Sequence, residues 1–267
     1  MMSSNRIVLL IALPPMIGAA SLYVKKVERS AIFRPTRGIN TYPDKAGLDF
    51  EDVSFESCDG LKLNGWFIPA GGARYTVLFC HGNAGNMSHR IKKAVFFNKL
   101  GYNVFMFDYR GYGNSKGSPS EGGLYKDTKA AYDCLQERGI AADVMVGYGE
   151  SLGGAALIDL ARDNEMRGLI LESAFSNAKD IAKALYPYAP SWFISTKFNS
   201  AEKIKSIKTP KLMIHSANDN IVPFGLGEKL FRAAAEPKTM LRIRGEHNAC
   251  FFVSQDALRE GITEFLK

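Results

Sequence analysis

One serine lies in a sequence context that is typical of a nucleophile. Ser151 is flanked by Gly149 and Gly153, follows the apolar run Val144–Tyr148 and precedes a stretch rich in alanine and leucine. On a sharp turn from strand to helix, such a serine projects its hydroxyl above a sheet, and the glycines let strand and helix pass closely. The pattern predicts acyl-transfer chemistry at Ser151, with a glycine-rich loop that carries no chemistry as the alternative.

A serine hydroxyl needs a base, and the sequence contains four histidines. His81 and His215 end apolar runs, which predicts packed or loop-ordering side chains, and His89 opens a helix, which predicts exposure. His247 follows the last predicted strand and precedes the last predicted helix. A side chain there can reach the edge of the sheet without entering the core, so we predict His247 as the general base.

The base in turn needs an acceptor that fixes its tautomer and stabilises the imidazolium. Asp219 comes shortly after the predicted strand Lys211–His215. An isolated aspartate in this place would be interpreted as a turn-forming residue. The chain order Ser151, Asp219, His247 is, however, the order expected for a nucleophile on a strand-to-helix turn. We therefore predict Asp219 as the orienting acid.

An oxyanion hole would complete such a site, and fixed backbone N–H groups are well suited to it. The N–H of Leu152, directly after the serine, is one candidate donor. The second is expected in the loop after the third predicted strand, where we choose the N–H of Asn83. The chemistry implies no metal and no organic cofactor. The four cysteines are scattered, without the spacing of a disulfide framework or a zinc site.

Apolar runs alternate with helical patterns along most of the chain. This alternation predicts an α/β fold whose mostly parallel strands are buried on both faces by helices, with sites at the carboxyl ends of the strands. The predicted strands are Phe50–Ser57, Leu61–Ile68, Tyr75–Cys80, Asn103–Phe107, Val144–Tyr148, Leu169–Leu171, Lys211–His215 and Met240–Ile243. The predicted helices cover about 88–100, 124–137, 152–161, 225–235 and 254–266.

Residues 176–206 interrupt the alternation. The stretch Ala184–Phe198 contains two prolines and five aromatic residues. It is interpreted either as an irregular segment that covers exposed core or as a short cap over a pocket for apolar ligands.

The first forty residues differ from the rest in charge and hydropathy. Residues 7–24 form an uncharged, largely apolar run, and most of the net charge of +7 flanks it within residues 1–40. We interpret this charge as membrane topology information and exclude a nucleic-acid partner. The run predicts an N-terminal membrane anchor with the catalytic domain on the cytoplasmic side. The alternatives are a signal peptide, cleaved near Ala20 for export, and a buried core helix. Two domains are predicted: an N-terminal segment, residues 1–40, that contains the anchor or signal and a linker, and the α/β domain, residues 41–267.

Several motifs together resemble the α/β-hydrolase family, and more closely its bud-emergence-type subgroup, which includes eukaryotic protein depalmitoylases. The matching stretches are Asp59-Gly60-Leu61, Gly65-Trp66-Phe67, His81-Gly82-Asn83-Ala84-Gly85-Asn86, Asp108-Tyr109-Arg110-Gly111-Tyr112-Gly113-Asn114-Ser115, Gly149-Glu150-Ser151-Leu152-Gly153-Gly154, and Asp219 with Val222-Pro223. The resemblance implies an eight-stranded, mostly parallel sheet with a short cap. It also implies the same roles for Ser151, Asp219, His247, Asn83 and Leu152.

The expected function is that of a serine hydrolase that cleaves an ester or thioester of an acyl substrate through an acyl-enzyme. The expected partners are a small acyl molecule or lipid and, through residues 7–24, a membrane. Two alternatives stay open at this point: a serine peptidase on the same fold, and a catalytically silent membrane scaffold.

Overall fold

The computed structural model describes residues 23–188 and 194–267. Apart from Tyr23 and Val24, the predicted anchor therefore lies outside the described residues. Trp192 and Phe193 of the predicted cap also lie outside them. Among the helices of the described residues, none is long and apolar enough to cross a bilayer.

Ten strands occur in the described part of the chain, and eight of them form the main sheet. They are β1 (Arg34–Pro35), β2 (Glu51–Glu56), β3 (Lys62–Ile68), β4 (Thr76–Cys80), β5 (Ala84–Gly85), β6 (Asn103–Asp108), β7 (Met145–Glu150), β8 (Gly168–Glu172), β9 (Lys211–Ser216) and β10 (Lys238–Ile243). The main sheet has the order β10-β9-β8-β7-β4-β6-β3-β2. Only β3 runs antiparallel to its neighbours, and the other pairs are parallel. This confirms the predicted eight-stranded, mostly parallel α/β sheet.

Helices cover both faces of this sheet. Their ranges are α1 (23–32), α2 (Ile91–Lys99), α3 (Glu121–Glu137), α4 (Leu152–Leu160), α5 (Ala178–Leu185), α6 (Ser200–Lys203), α7 (Phe224–Ala233), α8 (Cys250–Val253) and α9 (Gln255–Phe265). Successive strand residues face opposite ways, so Leu78 packs with α3 and α4 while Phe79 packs with α2 and α9. The sheet thus separates two apolar cores.

Helix α3 begins three residues before its predicted start at residue 124. Ser120 is the N-cap, and its hydroxyl accepts a hydrogen bond from the N–H of Gly123. Two glycines in the first turn, Gly122 and Gly123, conceal this start in the sequence, because glycine has a low helix propensity.

The segment before residue 41, predicted as a linker, is in part a packed element of the domain. Phe33 is buried, and β1 pairs in parallel with β5. The side-chain amide of Asn86 donates to the carbonyls of Thr36 and Gly38. The folded part therefore begins before the predicted boundary. A two-residue strand carries no periodic signal, which is why the sequence did not indicate it.

In the described part of the interruption, residues 176–188 and 194–206, there are two short α-helices, α5 and α6. Phe198 is buried against Phe33, Tyr125 and Phe175, whereas Tyr188 is fully exposed. One end of the segment therefore belongs to the core, and the end of α5 stands out from it.

Candidate active site

Ser151 occupies a strained turn between β7 and α4. Its φ of 51° and ψ of −109° lie in a region that side-chain-bearing residues rarely adopt. Two backbone bonds hold it there: the N–H of Ser151 donates to the carbonyl of Glu172 at 2.8 Å, and its own carbonyl accepts from the N–H of Gly154 at 3.0 Å. The sequence places the serine at the carboxyl end of a central strand, with its hydroxyl at the start of a helix.

The glycines of the turn are required by close backbone contacts. A Cβ at Gly153 would lie 2.0 Å from the carbonyl oxygen of Cys80, at the end of β4. A Cβ at Gly149 would lie 2.7 Å from the Cα of Gly154. Because these neighbours are backbone atoms, they cannot move aside as a flexible side chain would.

Asp219 and His247 are joined in the loops after β9 and β10. The Nδ1 of His247 lies 2.7 Å from Oδ2 and 3.0 Å from Oδ1 of Asp219. The carboxylate also accepts from the N–H groups of Ile221 at 3.0 Å and Val222 at 2.7 Å. A carboxylate only accepts, so Nδ1 of His247 carries the proton and Nε2 is left free to accept one.

The environment of Asp219 keeps it ionised. Burial raises the pKa of its carboxyl, but the hydrogen bond and charge of His247, together with the two N–H groups, lower it further, and the net pKa is below the ordinary value. The side chain of Asp219 is fully buried, whereas that of His247 is 11% exposed. The imidazole of His247 is therefore the more solvent-exposed side chain of the pair.

None of the other three histidines hydrogen-bonds to Asp219, although Nε2 of His215 lies 3.7 Å from its Oδ2. His215 donates from Nε2 to the carbonyl of Val222 at 2.9 Å, and burial lowers its pKa. It thus orders the loop that carries Asp219, as predicted. His81 is buried beside Asp108, 3.2 Å from its carboxylate. His89 is exposed, also as predicted.

The two predicted oxyanion donors have free N–H groups in the part of the chain that the structure describes. The carbonyl of Asn83 accepts from Arg34 and Tyr112, and its side chain donates to Ile32, but its N–H has no acceptor there. Leu152 is the first residue of α4, where an N–H has no partner within the helix. Neither N–H is therefore used by a protein acceptor among the described residues, as an oxyanion donor requires.

No hydrogen bond joins the hydroxyl of Ser151 to His247 among the described residues. Their loops nevertheless end the strands β7 and β10 at the same carboxyl edge of the sheet, with Asp219 after β9 between them. Contacts of this kind commonly tighten only when a substrate is bound. The roles of Ser151, Asp219, His247, Asn83 and Leu152 stay predictions.

Sequence reasoning missed a buried ion cluster beneath this edge, which consists of Arg90, Lys93, Glu150 and Glu172. Glu150 directly precedes Ser151, and Glu172 ends β8. Ionisable residues at the ends of otherwise apolar strands are the signal that could have indicated it. Arg110 is not part of this cluster and forms an ion pair with the buried Asp127.

No cluster of histidine, cysteine and carboxylate side chains within residues 23–188 and 194–267 could hold a metal ion.

Comparison with known proteins identifies the family. The family model described as "Serine aminopeptidase, S33" matches residues 71–201. The Rv2307c protein of Mycobacterium tuberculosis is 35% identical over 250 residues, which cover 92% of this chain and 89% of that protein. Protein bem46 of Schizosaccharomyces pombe is 38% identical over 192 residues, or 68% of this chain and 64% of that protein.

A solved structure agrees with the architecture. The esterase Pf2001 of Pyrococcus furiosus superposes with a TM-score of 0.73 at 22% identity, and the match covers 88% of this chain and 96% of that chain. At this identity the likeness shows the fold, which is that of the α/β hydrolases. The chain belongs to the α/β-hydrolase family, and within it to the subgroup that contains bem46. The resemblance seen in the sequence motifs is thereby confirmed.

Proposed function

We propose that this α/β hydrolase is a serine hydrolase that cleaves carboxylic esters or thioesters of acyl substrates. The observation that carries the proposal is the pairing of Asp219 with His247 at the sheet edge where Ser151 is held at a positive φ. The structural neighbour Pf2001 is an esterase, which supports the same reaction class. A nucleophile, a base with a fixed tautomer and free backbone donors are the parts that acyl transfer needs.

The proposed reaction has two halves. His247 Nε2 accepts the proton of the Ser151 hydroxyl while Oγ bonds to the substrate carbonyl carbon. The tetrahedral oxyanion accepts hydrogen bonds from the N–H groups of Asn83 and Leu152. The carbon–oxygen or carbon–sulfur bond then breaks, and the leaving alcohol or thiol takes the proton from Nε2. Water repeats the sequence on the acyl-enzyme and releases the acid.

The test is turnover of p-nitrophenyl esters of increasing acyl length by the full chain, with Ser151→Ala as the control. We expect wild-type turnover and a loss of about 10⁵-fold or more in kcat for the variant. An acyl thioester series monitored with a thiol reagent separates ester from thioester preference. Equal rates for wild type and Ser151→Ala would contradict the proposal.

A second candidate is hydrolysis of peptides, because the matching family model is described as a serine aminopeptidase. Aminoacyl amides and acyl esters, measured on the same preparation, distinguish the two. A kcat/KM that is higher for aminoacyl amides would favour the peptidase. Failure of a fluorophosphonate to label either wild type or variant would favour a catalytically silent scaffold.

We further propose that residues 176–206 form a short cap over the acyl site. Leu185, Tyr186 and Tyr188 are exposed at the end of α5, while Phe198 fixes the far end of the segment in the core. A segment with one exposed apolar end and one residue buried in the core is suited to cover a pocket that binds apolar acyl chains. Replacement of Tyr186 by serine should shift the chain-length optimum of the ester series.

The N-terminal run is proposed as a membrane anchor. The uncharged residues 7–24 followed by Lys25 and Lys26 support it. Extraction of cell membranes with alkaline carbonate should leave the full chain in the pellet. N-terminal sequencing of the purified protein that starts after Ala20 would indicate a cleaved signal peptide instead.

A further inference from the structure

The buried ion cluster lies directly beneath the proposed catalytic groups, yet none of its members has a place in the reaction. Lys93 is at its centre: Nζ is 3.1 Å from a carboxylate oxygen of Glu150 and 2.9 Å from one of Glu172. Arg90 adds a second cation, 2.9 Å from Glu150. Two cations and two anions therefore neutralise each other, and all four side chains are 15% exposed or less.

The first contact of the cluster is with the loop that carries Asn83. Arg90 donates to the carbonyl of Ala84 at 2.6 Å. Gly82 lies against the other half of the ion pair, since a Cβ there would come within 2.8 Å of Oε1 of Glu150. The residues on both sides of Asn83 are thus in contact with the Arg90–Glu150 pair. These two contacts fix the peptide group whose N–H is the predicted oxyanion donor.

The second contact is with the nucleophile turn. Glu150 is the residue before Ser151, and the carbonyl of Glu172 accepts the N–H of Ser151 at 2.8 Å. Lys93 joins the carboxylates of these two residues. The cation therefore links the ends of β7 and β8 at the point where the strained serine is placed.

The third contact is with the loop of the predicted base. The thiol of Cys250 lies 3.3 Å from the carbonyl of His247 and 4.0 Å from Glu172. Tyr148 completes the surroundings, because its hydroxyl donates to Glu172. The four charges thus contact the oxyanion loop and the nucleophile turn directly, and Glu172 is linked to the carbonyl of His247 through the thiol of Cys250.

The charges of Glu150 and Lys93 stay fixed over a wide pH range. Burial raises the pKa of Glu150, but Lys93 and Arg90 lower it further, so the net pKa is well below the ordinary value. Burial lowers the pKa of Lys93, but the two glutamates raise it further, so the net pKa is above the ordinary value. In surroundings of low polarity such a neutral set favours one geometry, because any separation of its members leaves a buried charge unpaired.

We propose that Arg90, Lys93, Glu150 and Glu172 are positioning residues. They fix the oxyanion donors, Ser151 and His247 in their positions relative to one another. The proposal rests on the serine hydrolase function proposed above. A small misplacement of the oxyanion donors weakens interactions made in the transition state more than those made with the ground-state ester. Loss of the cluster should therefore lower kcat and leave KM nearly unchanged.

The decisive variant is Lys93→Met combined with Glu172→Gln in the full chain. It removes one cation and one anion together, so Arg90 and Glu150 remain as a balanced pair and the variant can fold. On the p-nitrophenyl ester of highest wild-type kcat/KM, we expect a fall of about 10- to 100-fold in kcat, with KM within about threefold. The rate of fluorophosphonate labelling should fall in parallel.

The matched control is Asp127→Asn, which breaks another buried ion pair, with Arg110. Asp127 contacts none of the three loops through its hydrogen bonds, which go to Arg110. We expect a lower thermal midpoint for this variant with kcat within about threefold of wild type. If both variants lose stability and neither loses kcat, the cluster is only structural and the proposal is wrong.

A readout that does not need turnover separates this proposal from the proposed function. Amide hydrogen exchange in the Lys93→Met, Glu172→Gln variant should be faster in residues 82–86, 150–154 and 246–250 together, and unchanged in α3. If wild type hydrolyses no ester or thioester, the proposed function fails, but this measurement still tests the cluster. Unchanged exchange in all three loops would overturn the positioning role.

Discussion

The nucleophile turn and the acid–base pair reach the same edge of the sheet by different physical means. Ser151 is fixed by backbone packing: Gly153 fits against the carbonyl of Cys80 with no room for one more carbon. Asp219 and His247 are fixed by hydrogen bonds from side chains and loop N–H groups. A turn that is fixed by close packing has no room for an added atom. A hydrogen-bonded pair, in contrast, can lose one partner while the loops that carry it keep their conformation. We therefore expect substitutions at the turn to affect folding and substitutions in the pair to affect the reaction.

The largest expected effect tests the pair. Asp219→Asn keeps the shape and the acceptor oxygen toward Val222 but removes the charge that fixes the tautomer of His247. We expect a fall of about 10⁴-fold in kcat, with only a small loss in the free energy of unfolding from the removed charge. Ester turnover and urea unfolding of the same preparation check it. A variant with wild-type kcat would mean that His247 takes its tautomer from another group.

The next effect tests the turn. Gly153→Ala forces a Cβ to within 2.0 Å of the Cys80 carbonyl oxygen, so β4 and α4 must move apart. We expect a loss of about 3 kcal/mol or more in the free energy of unfolding. Gly122→Ala is the matched control, since it is helical and has open space around it. That control should be neutral or stabilise by up to about 1 kcal/mol, and equal losses in the two variants would contradict the steric account.

A smaller effect measures the strain stored at the serine itself. Ser151→Ala keeps a Cβ at a φ of 51°, whereas Ser151→Gly removes it. Neither variant has a nucleophile, so the difference between them reports on the backbone alone. We expect the glycine variant to be more stable by about 1 kcal/mol in urea unfolding. A less stable glycine variant would show that the turn carries no net strain.

The smallest effect is the pH dependence of the pair. The pKa of Asp219 is lowered in the folded protein from its ordinary value of 3.8, so its ionised form stabilises the fold above that pH. The contribution should shrink as the pH falls below 3.8 and vanish once the pH is below the folded pKa. The measurement is the difference in unfolding free energy between wild type and Asp219→Asn from pH 7 to pH 2. A difference that grows toward acid would have the wrong sign.

The main sheet and most helices could be predicted from sequence because they depend on local patterns. Each of the eight predicted strands corresponds to a strand of the main sheet. The central parallel strands are apolar along most of their length because both of their faces are buried, whereas the edge strand β2 shows only a loose alternation of apolar and polar residues. The pairing of β1 with β5 and the early start of α3 could not be predicted. The first is too short to show a period, and the second depends on a capping hydrogen bond that overrides two glycines.

For the candidate site, the sequence by itself determined the residue types and their order: a serine between glycines after an apolar run, then an aspartate, then a histidine. These follow from chain order and from turn chemistry, which are local properties. The sequence also distinguished His215, at the end of an apolar run, from His247, in the loop after the last predicted strand. Only the tertiary structure showed the contacts of each ring, Asp219 with His247 and His215 with the carbonyl of Val222, because these contacts depend on how the loops after β9 and β10 pack together. It alone also brought Lys93 of α2 between Glu150 and Glu172, which lie 57 and 79 residues further along the chain. Charge pairing across such separations depends on how the helix packs on the sheet, and no local pattern records that packing.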